Sequence, residues 1–265
     1  MMQIDLLNTY SDLFFLIALF VFVLGASMGS FINVVVDRLI HGQSLMGRSH
    51  CDYCKKTLAW YDLIPIISYI VLRGKCRKCH RHLSFQYPLI EVLTGVLFVI
   101  TWLSAPFPYL LLYWGIVSCA WVILLSDLRY QLISDYMQVA LFVSIFLFKV
   151  AQGATIFNLL ADVVSGAVVA VPIGLIYVIS RERAMGQGDV LLAAQIGFLL
   201  GTIPGYLALY SAFVLGAAVG IFLLITGKRK MKSAVPFGPF LIIGTLIVIF
   251  WGRVLTQGAL HLLGR

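Results

Sequence analysis

The chain has 265 residues, of which 61% are hydrophobic and only 11% charged. That balance excludes a soluble globular domain, which would aggregate, and identifies a polytopic membrane protein. The formal charge of +8 is distributed among the loops between apolar runs, with no single basic patch and no interleaved aromatics. It therefore argues against a nucleic-acid partner and for the anionic headgroups of a lipid bilayer.

Eight apolar runs are expected to form transmembrane helices. They lie at about Leu13 to Val36, Pro88 to Leu103, Tyr109 to Ser126, Tyr136 to Val150, Phe157 to Ser180, Val190 to Ile203, Gly205 to Gly227 and Val235 to Trp251. Some are short against the roughly 20 residues needed to cross. No Lys or Arg precedes the first run, and it is longer than a signal-peptide core, so it is predicted to stay as a helix. With the N-terminus outside, sixteen of the nineteen Lys and Arg residues fall in loops on the inner side, the group Lys228, Arg229, Lys230 and Lys232 among them. Lys149, Arg253 and Arg265 fall outside. The positive-inside rule then makes the first, third, fifth and seventh loops cytoplasmic.

The one long polar stretch, Asp37 to about Gln86, carries Cys51-Asp-Tyr-Cys54 and Cys76-Arg-Lys-Cys79. Two CxxC knuckles at this spacing suit a tetrahedral four-thiolate zinc site. Redox dithiols or disulfides are the competing readings, disfavoured in a reducing compartment, and Lys55, Lys56, Lys75, Arg77 and Lys78 offset the charge of thiolates on zinc. His50, His80 and His82 lie nearby as alternative ligands but read as solvated loop residues, while Cys119, alone in the third span, reads as a small buried hydrophobe. Between the knuckles, Leu58 to Leu72 is apolar but contains Asp62 and Pro65, and it is expected to lie along the membrane interface with Trp60 and Tyr61 at headgroup level.

Carboxylates this near hydrocarbon are functional candidates by default. Asp127 ends the third span, Asp135 begins the fourth, and Asp189 follows Gly186-Gln187-Gly188 before the sixth. Asp135 reads as a helix cap, and Asp189 alone has the same bland reading. Asp127 and Asp189 together, at the same membrane side, form a candidate aspartyl dyad that shares one proton, activates a water and polarises a peptide carbonyl. Helix dipoles assign the ionised role to Asp189 and the proton to Asp127.

These residues resemble the type IV prepilin peptidases, the prepilin leader peptidase and N-methyltransferase family of GxGD-type intramembrane aspartyl proteases. The similarity runs through Gly29-Ser30-Phe31-Ile32-Asn33-Val34 with Arg38-Leu39, Trp60-Tyr61-Asp62 with Ile64-Pro65, Leu72-Arg73-Gly74, Tyr87-Pro88-Leu89 with Glu91, Asp127 to Asp135, Gly186 to Asp189 and Pro236-Phe237-Gly238-Pro239. It departs at Ile40 and Ser134, where the family usually has proline. The resemblance implies an inner-membrane enzyme that cuts the basic leader from prepilins or type II secretion pseudopilins on the cytoplasmic side, then methylates the new N-terminus with S-adenosylmethionine. It places the catalytic aspartates on Asp127 and Asp189, the zinc ligands on Cys51, Cys54, Cys76 and Cys79, and methyl-transfer candidates on Gly29, Asn33, Arg38, Gly74 and Glu91. Glu91 has a second reading, an ion pair with Arg38 that serves packing.

The expected fold is all-α: a first transmembrane helix over 1–36, a cytoplasmic four-cysteine domain with its interfacial segment over 37–87, and a transmembrane protease core over 88–265. Two other classes compete. A proton-coupled transporter needs ionisable residues near span centres, and only Asp162 and Glu91 approach that, each closer to one end. A zinc adaptor without catalysis leaves the paired aspartates unexplained.

Overall fold

The computed structural model describes residues 2–51, 53–183, 185–226 and 236–262. Lys228, Arg229, Lys230, Lys232 and Arg265 lie outside the described residues. Among those described, the helices are α1 (Met2–Ile40), α2 (Ile67–Val71), α3 (Gln86–Ser104), α4 (Leu110–Tyr130), α5 (Asp135–Ala151), α6 (Ile156–Ser180), α7 (Gln187–Leu200), α8 (Thr202–Ile225) and α9 (Gly238–Leu262). Each of the eight apolar runs thus holds a helix among the described residues. Five segments are long and apolar enough to cross a membrane: Asp12–Ile40, Gln86–Ser104, Phe107–Tyr130, Ile156–Ser180 and Thr202–Ile225. α5 and α7 have only 17 and 14 residues, so length does not establish eight crossings.

The expected break between the sixth and seventh runs, at Pro204, is displaced to Gly201, which adopts φ +85° between α7 and α8. A positive φ is costly for residues with a Cβ, whereas a proline in the first turn of a helix has no hydrogen bond to lose. The helix therefore breaks at the glycine and absorbs the proline.

The chain forms two compact units, Met1–Ser118 and Cys119–Arg265. In the first, α1 packs along α3. A Cβ at Gly25 would lie 2.9 Å from the Gly95 backbone, and one at Gly29 would lie 2.9 Å from that of Glu91. The small residues at these positions are what let the two backbones approach. Phe98 stacks on Trp114 at 4.8 Å, and the Trp114 indole N–H donates to Thr101 Oγ1 at 2.9 Å. α1 is roughly 58 Å long at 1.5 Å per residue, longer than a bilayer core of about 30 Å.

In the second unit α7 is central, packed against α5, α6, α8 and α9. Its buried face carries Leu192, Ala193, Ile196 and Phe198, and Val169 and Ile173 of α6 and Ala208 and Ala212 of α8 are buried as well. A Cβ at Gly197 would stand 2.7 Å from the Ser165 carbonyl, so α6 and α7 cross at backbone contact.

Candidate active site

Asp127 lies in the last turn of α4 and Asp189 in the first turn of α7, and both are buried. Each carboxylate lies within the electrostatic range of the other. The second unit thus brings together the two aspartates that the sequence pairs.

Each carboxylate rests on a helix N-terminus. Asp127 Oδ2 accepts the backbone N–H of Gly238, the first residue of α9, at 2.8 Å. Asp189 Oδ2 accepts the N–H of Gly186, the N-cap of α7, at 3.2 Å, while Asp189 Oδ1 is buried with no hydrogen-bond partner among the described residues. The capping reading of Asp189 is therefore right for one oxygen only. The dipole argument for the proton is overturned, because Asp127 also sits on a helix N-terminus, that of α9, and dipoles no longer distinguish the two. Asp135 is corrected as well: the N-cap of α5 is Ser134, and Asp135 is the exposed first helical residue.

Ile133, in the turn between α4 and α5, touches both halves of the site. A Cβ at Gly188 would come within 3.0 Å of it, and one at Gly238 within 3.5 Å. The Gly238 Cβ would also stand 2.8 Å from Asp127 Oδ2. Gly238→Ala is accordingly expected to displace the Asp127 carboxylate and lower the turnover of the site by about a hundredfold, the cost of a misplacement of about 1 Å. Single-turnover kinetics beside a melting curve check this; wild-type turnover would show that the contact relaxes without moving Asp127.

The four cysteines form a second site. The sulfurs of Cys51, Cys54, Cys76 and Cys79 lie within 4.8 Å of one another, and those of Cys51 and Cys79 are 3.9 Å apart. A tetrahedral zinc with bonds of about 2.3 Å requires sulfurs about 3.8 Å apart, so the cluster fits that metal. The knuckles are built alike. In each, the first cysteine donates its N–H five residues ahead, to Lys56 O at 3.0 Å or Arg81 O at 2.9 Å, and the residue after the second cysteine, Lys55 or His80, is left-handed. The backbone N–H groups of Cys79 and Lys78 lower the Cys76 thiol to about 7, toward the thiolate that binds metal. None of the three histidines joins the cluster.

The methyl-transfer candidates gather around a cavity of about 210 Å³ whose wall includes Asn33, Arg38 and Glu91, with Asp37, Asp62 and Tyr69. Arg38 and Glu91 do not pair. The Arg38 guanidinium donates to the carbonyls of Ser44, Leu45 and Arg48, at 3.3, 2.9 and 3.2 Å. Glu91 Oε2 accepts the N–H of Ile66 at 2.7 Å. Ile66 has φ 63° and ψ −53°, a γ-turn conformation rare for a β-branched residue, so Glu91 holds strained backbone at the cavity. Gly29 and Gly74 act through the backbone: Gly29 admits α3, and Gly74 turns at φ +67° against the Tyr69 hydroxyl. Asp62 accepts Arg77 Nε at 2.8 Å, tying the Trp60–Leu63 3-10 turn to the second knuckle.

The family model described as bacterial peptidase A24 N-terminal domain matches residues 23–105, and that described as the type IV leader peptidase family matches 114–221. The Prepilin leader peptidase/N-methyltransferase of Legionella pneumophila is 34% identical over 77% of this chain and 72% of its own length. The protein of the same name in Pseudomonas putida is 30% identical over 91% and 93%, and that of Bacillus subtilis 28% over 87% and 93%. No solved structure matches.

Proposed function

We propose, from the premise that this chain belongs to the type IV leader peptidase family, that it removes leader peptides from prepilins or type II secretion pseudopilins and N-methylates the new N-termini. The relatives' printed names support the two activities and the prepilin substrate. The observation that carries the chemistry is the buried pair Asp127 and Asp189, close enough to interact, each with one oxygen on a helix N-terminal amide. Two facing carboxylates share a proton. Asp189 Oδ1, a buried acceptor lacking a donor, is the atom suited to take a proton from the attacking water. Asp127, anchored by Gly238, is then the partner that polarises the peptide carbonyl.

The wider reading has the chain cross the inner membrane eight times, with the cysteine insert and the dyad on the cytoplasmic side where basic loops gather. By role it divides into a first helix over 1–36, the insert over 37–87 and the protease core over 88–265. Cys51, Cys54, Cys76 and Cys79 hold a structural zinc. The cavity by Asn33, Arg38 and Glu91 takes S-adenosylmethionine, which when bound supplies an electrophilic methyl group. The wall fits a sulfonium cation: Asp37 and Glu91 are acidic, Asp62 is already paired with Arg77, and the one guanidinium lining the cavity is engaged by three carbonyls. Glu91→Gln keeps an acceptor for Ile66 and is expected to weaken donor binding about tenfold, on the scale of one charge contact in a partly solvated site. Calorimetry with S-adenosylhomocysteine, whose thioether lacks the sulfonium charge, should show no such loss; equal losses for both would refute the charge argument.

The direct test of function incubates purified protein with a prepilin in detergent and reads product masses. Leader loss followed by addition of a methyl group is expected; an unprocessed substrate would sink the proposal.

A further inference from the structure

α5 and α7 share a pair of buried amides that catalysis by a dyad does not call for. Gln195 Nε2 donates to Gln138 Oε1 at 2.7 Å and to the Gln138 carbonyl at 3.1 Å. Gln138 Nε2 in turn donates to the carbonyl of Gly188 at 2.9 Å. Both side chains are buried, and Gln195 Oε1 has no partner among the described residues. Amides placed inside an apolar bundle, one of them with an orphaned oxygen, cost more than leucines of similar volume would. Holding two helices together does not explain them.

Direction explains them better. The donors run from α7 to α5 and back to α7, ending on the peptide immediately before Asp189. The N–H of that peptide donates to the Gly186 carbonyl at 3.2 Å, and the Gln138 amide adds an anchor on its carbonyl from a different helix. Gly188 has no side chain, a Cβ there would come within 3.0 Å of Ile133, and the Asp189 carboxylate itself accepts one hydrogen bond, of 3.2 Å, from Gly186. The Gln138 amide thus fixes the Gly188–Asp189 peptide from the α5 side, and Gln195 fixes the rotamer of Gln138 by occupying both its side-chain and main-chain oxygens.

We propose that Gln138, oriented by Gln195, is a positioning residue that sets the Asp189 carboxylate against Asp127. The inference rests on the dyad proposed above. Neither glutamine touches the reacting atoms, so substrate affinity is not their role. Gln138→Leu is expected to lower kcat for leader cleavage between about tenfold and a hundredfold with KM unchanged. Gln195→Leu should lower kcat less, and the double variant should match Gln138→Leu alone, because the two act in series.

A merely structural role is separated by Gln138→Glu. The introduced carboxyl group keeps the shape and can donate to Gly188 only while protonated, so its kcat relative to wild type should fall as pH rises, an extra titration that packing would not produce. This arm also serves if the leucine variants fail to fold. Asp127→Asn and Asp189→Asn run in the same assay keep the two readings apart. If both are inactive while Gln138→Leu has wild-type kcat, or if the glutamine effects simply add, the positioning inference is overturned and the dyad stands. If either asparagine variant cleaves normally, the dyad itself falls.

Discussion

Asp127→Asn and Asp189→Asn are each expected to lower kcat for leader cleavage by about a thousandfold or more, within the range attributed to a single acid or base and its partner. Asparagine is the informative replacement because it preserves the local hydrogen bonds. Its amide oxygen still accepts the Gly238 N–H that Asp127 receives at 2.8 Å, or the Gly186 N–H that Asp189 receives at 3.2 Å. What is lost is the carboxyl group's ability to exchange a proton with water. The same change removes one of two buried, mutually interacting acidic groups, so neither variant should melt at a lower temperature than wild type. Loss of activity without loss of stability is the signature of a site that holds strained chemistry. A variant that is inactive and also melts early would mean that the aspartates hold α4, α7 and α9 together, and that the catalytic reading confuses cause with collapse.

The parts of this picture that were legible in the sequence are those that depend on local pattern. Hydropathy located the eight helices, the CxxC spacing located a cluster whose sulfurs meet, and two carboxylates beside apolar runs located the buried pair proposed as the dyad. The parts that were not legible come from contacts between distant segments. Gly238 lies 111 residues from Asp127, and Gln195 lies 57 from Gln138. Nothing in a single sequence says that such residues will touch, since helix crossing angles are decided by the packing of whole faces. Gln138 and Gln195 did carry a signal, a polar amide inside an apolar helix, but without a partner in view each reads as a tolerated exception. The pairing of Glu91 with Arg38 failed in an instructive way. Charge alone favours it, yet the strained N–H of Ile66 and three loop carbonyls take the two groups apart.

The second large effect concerns the metal. Chelation, or Cys76→Ser, is expected to unfold the insert between α1 and α3, because the cysteine cluster is most of what is buried there. Among the described residues from 41 to 85, only Cys51, Gly74 and Cys76 are buried. Regular structure in that stretch amounts to one 3-10 turn, the five residues of α2 and two isolated bridges, His50 with Thr57 and Lys75 with His82. A segment with so little core is expected to depend on a metal held by the four thiolates, which contributes roughly 10 kcal/mol or more in comparable small sites. One equivalent of zinc per chain should be found by elemental analysis and lost in any of the four Cys→Ser variants. Limited trypsin digestion should then cut at Lys55, Lys56, Lys75 and Lys78, which the folded knuckles protect through their short backbone hydrogen bonds. Binding of the methyl donor should disappear with the metal, since Cys51 and Cys76 line the cavity assigned to it. Leader cleavage should suffer less, because the carboxylates are held by amides of α7 and α9. An insert that stays resistant to trypsin without metal would show that Arg38, Asp62 and Glu91 hold it closed, and would reduce the zinc to an accessory.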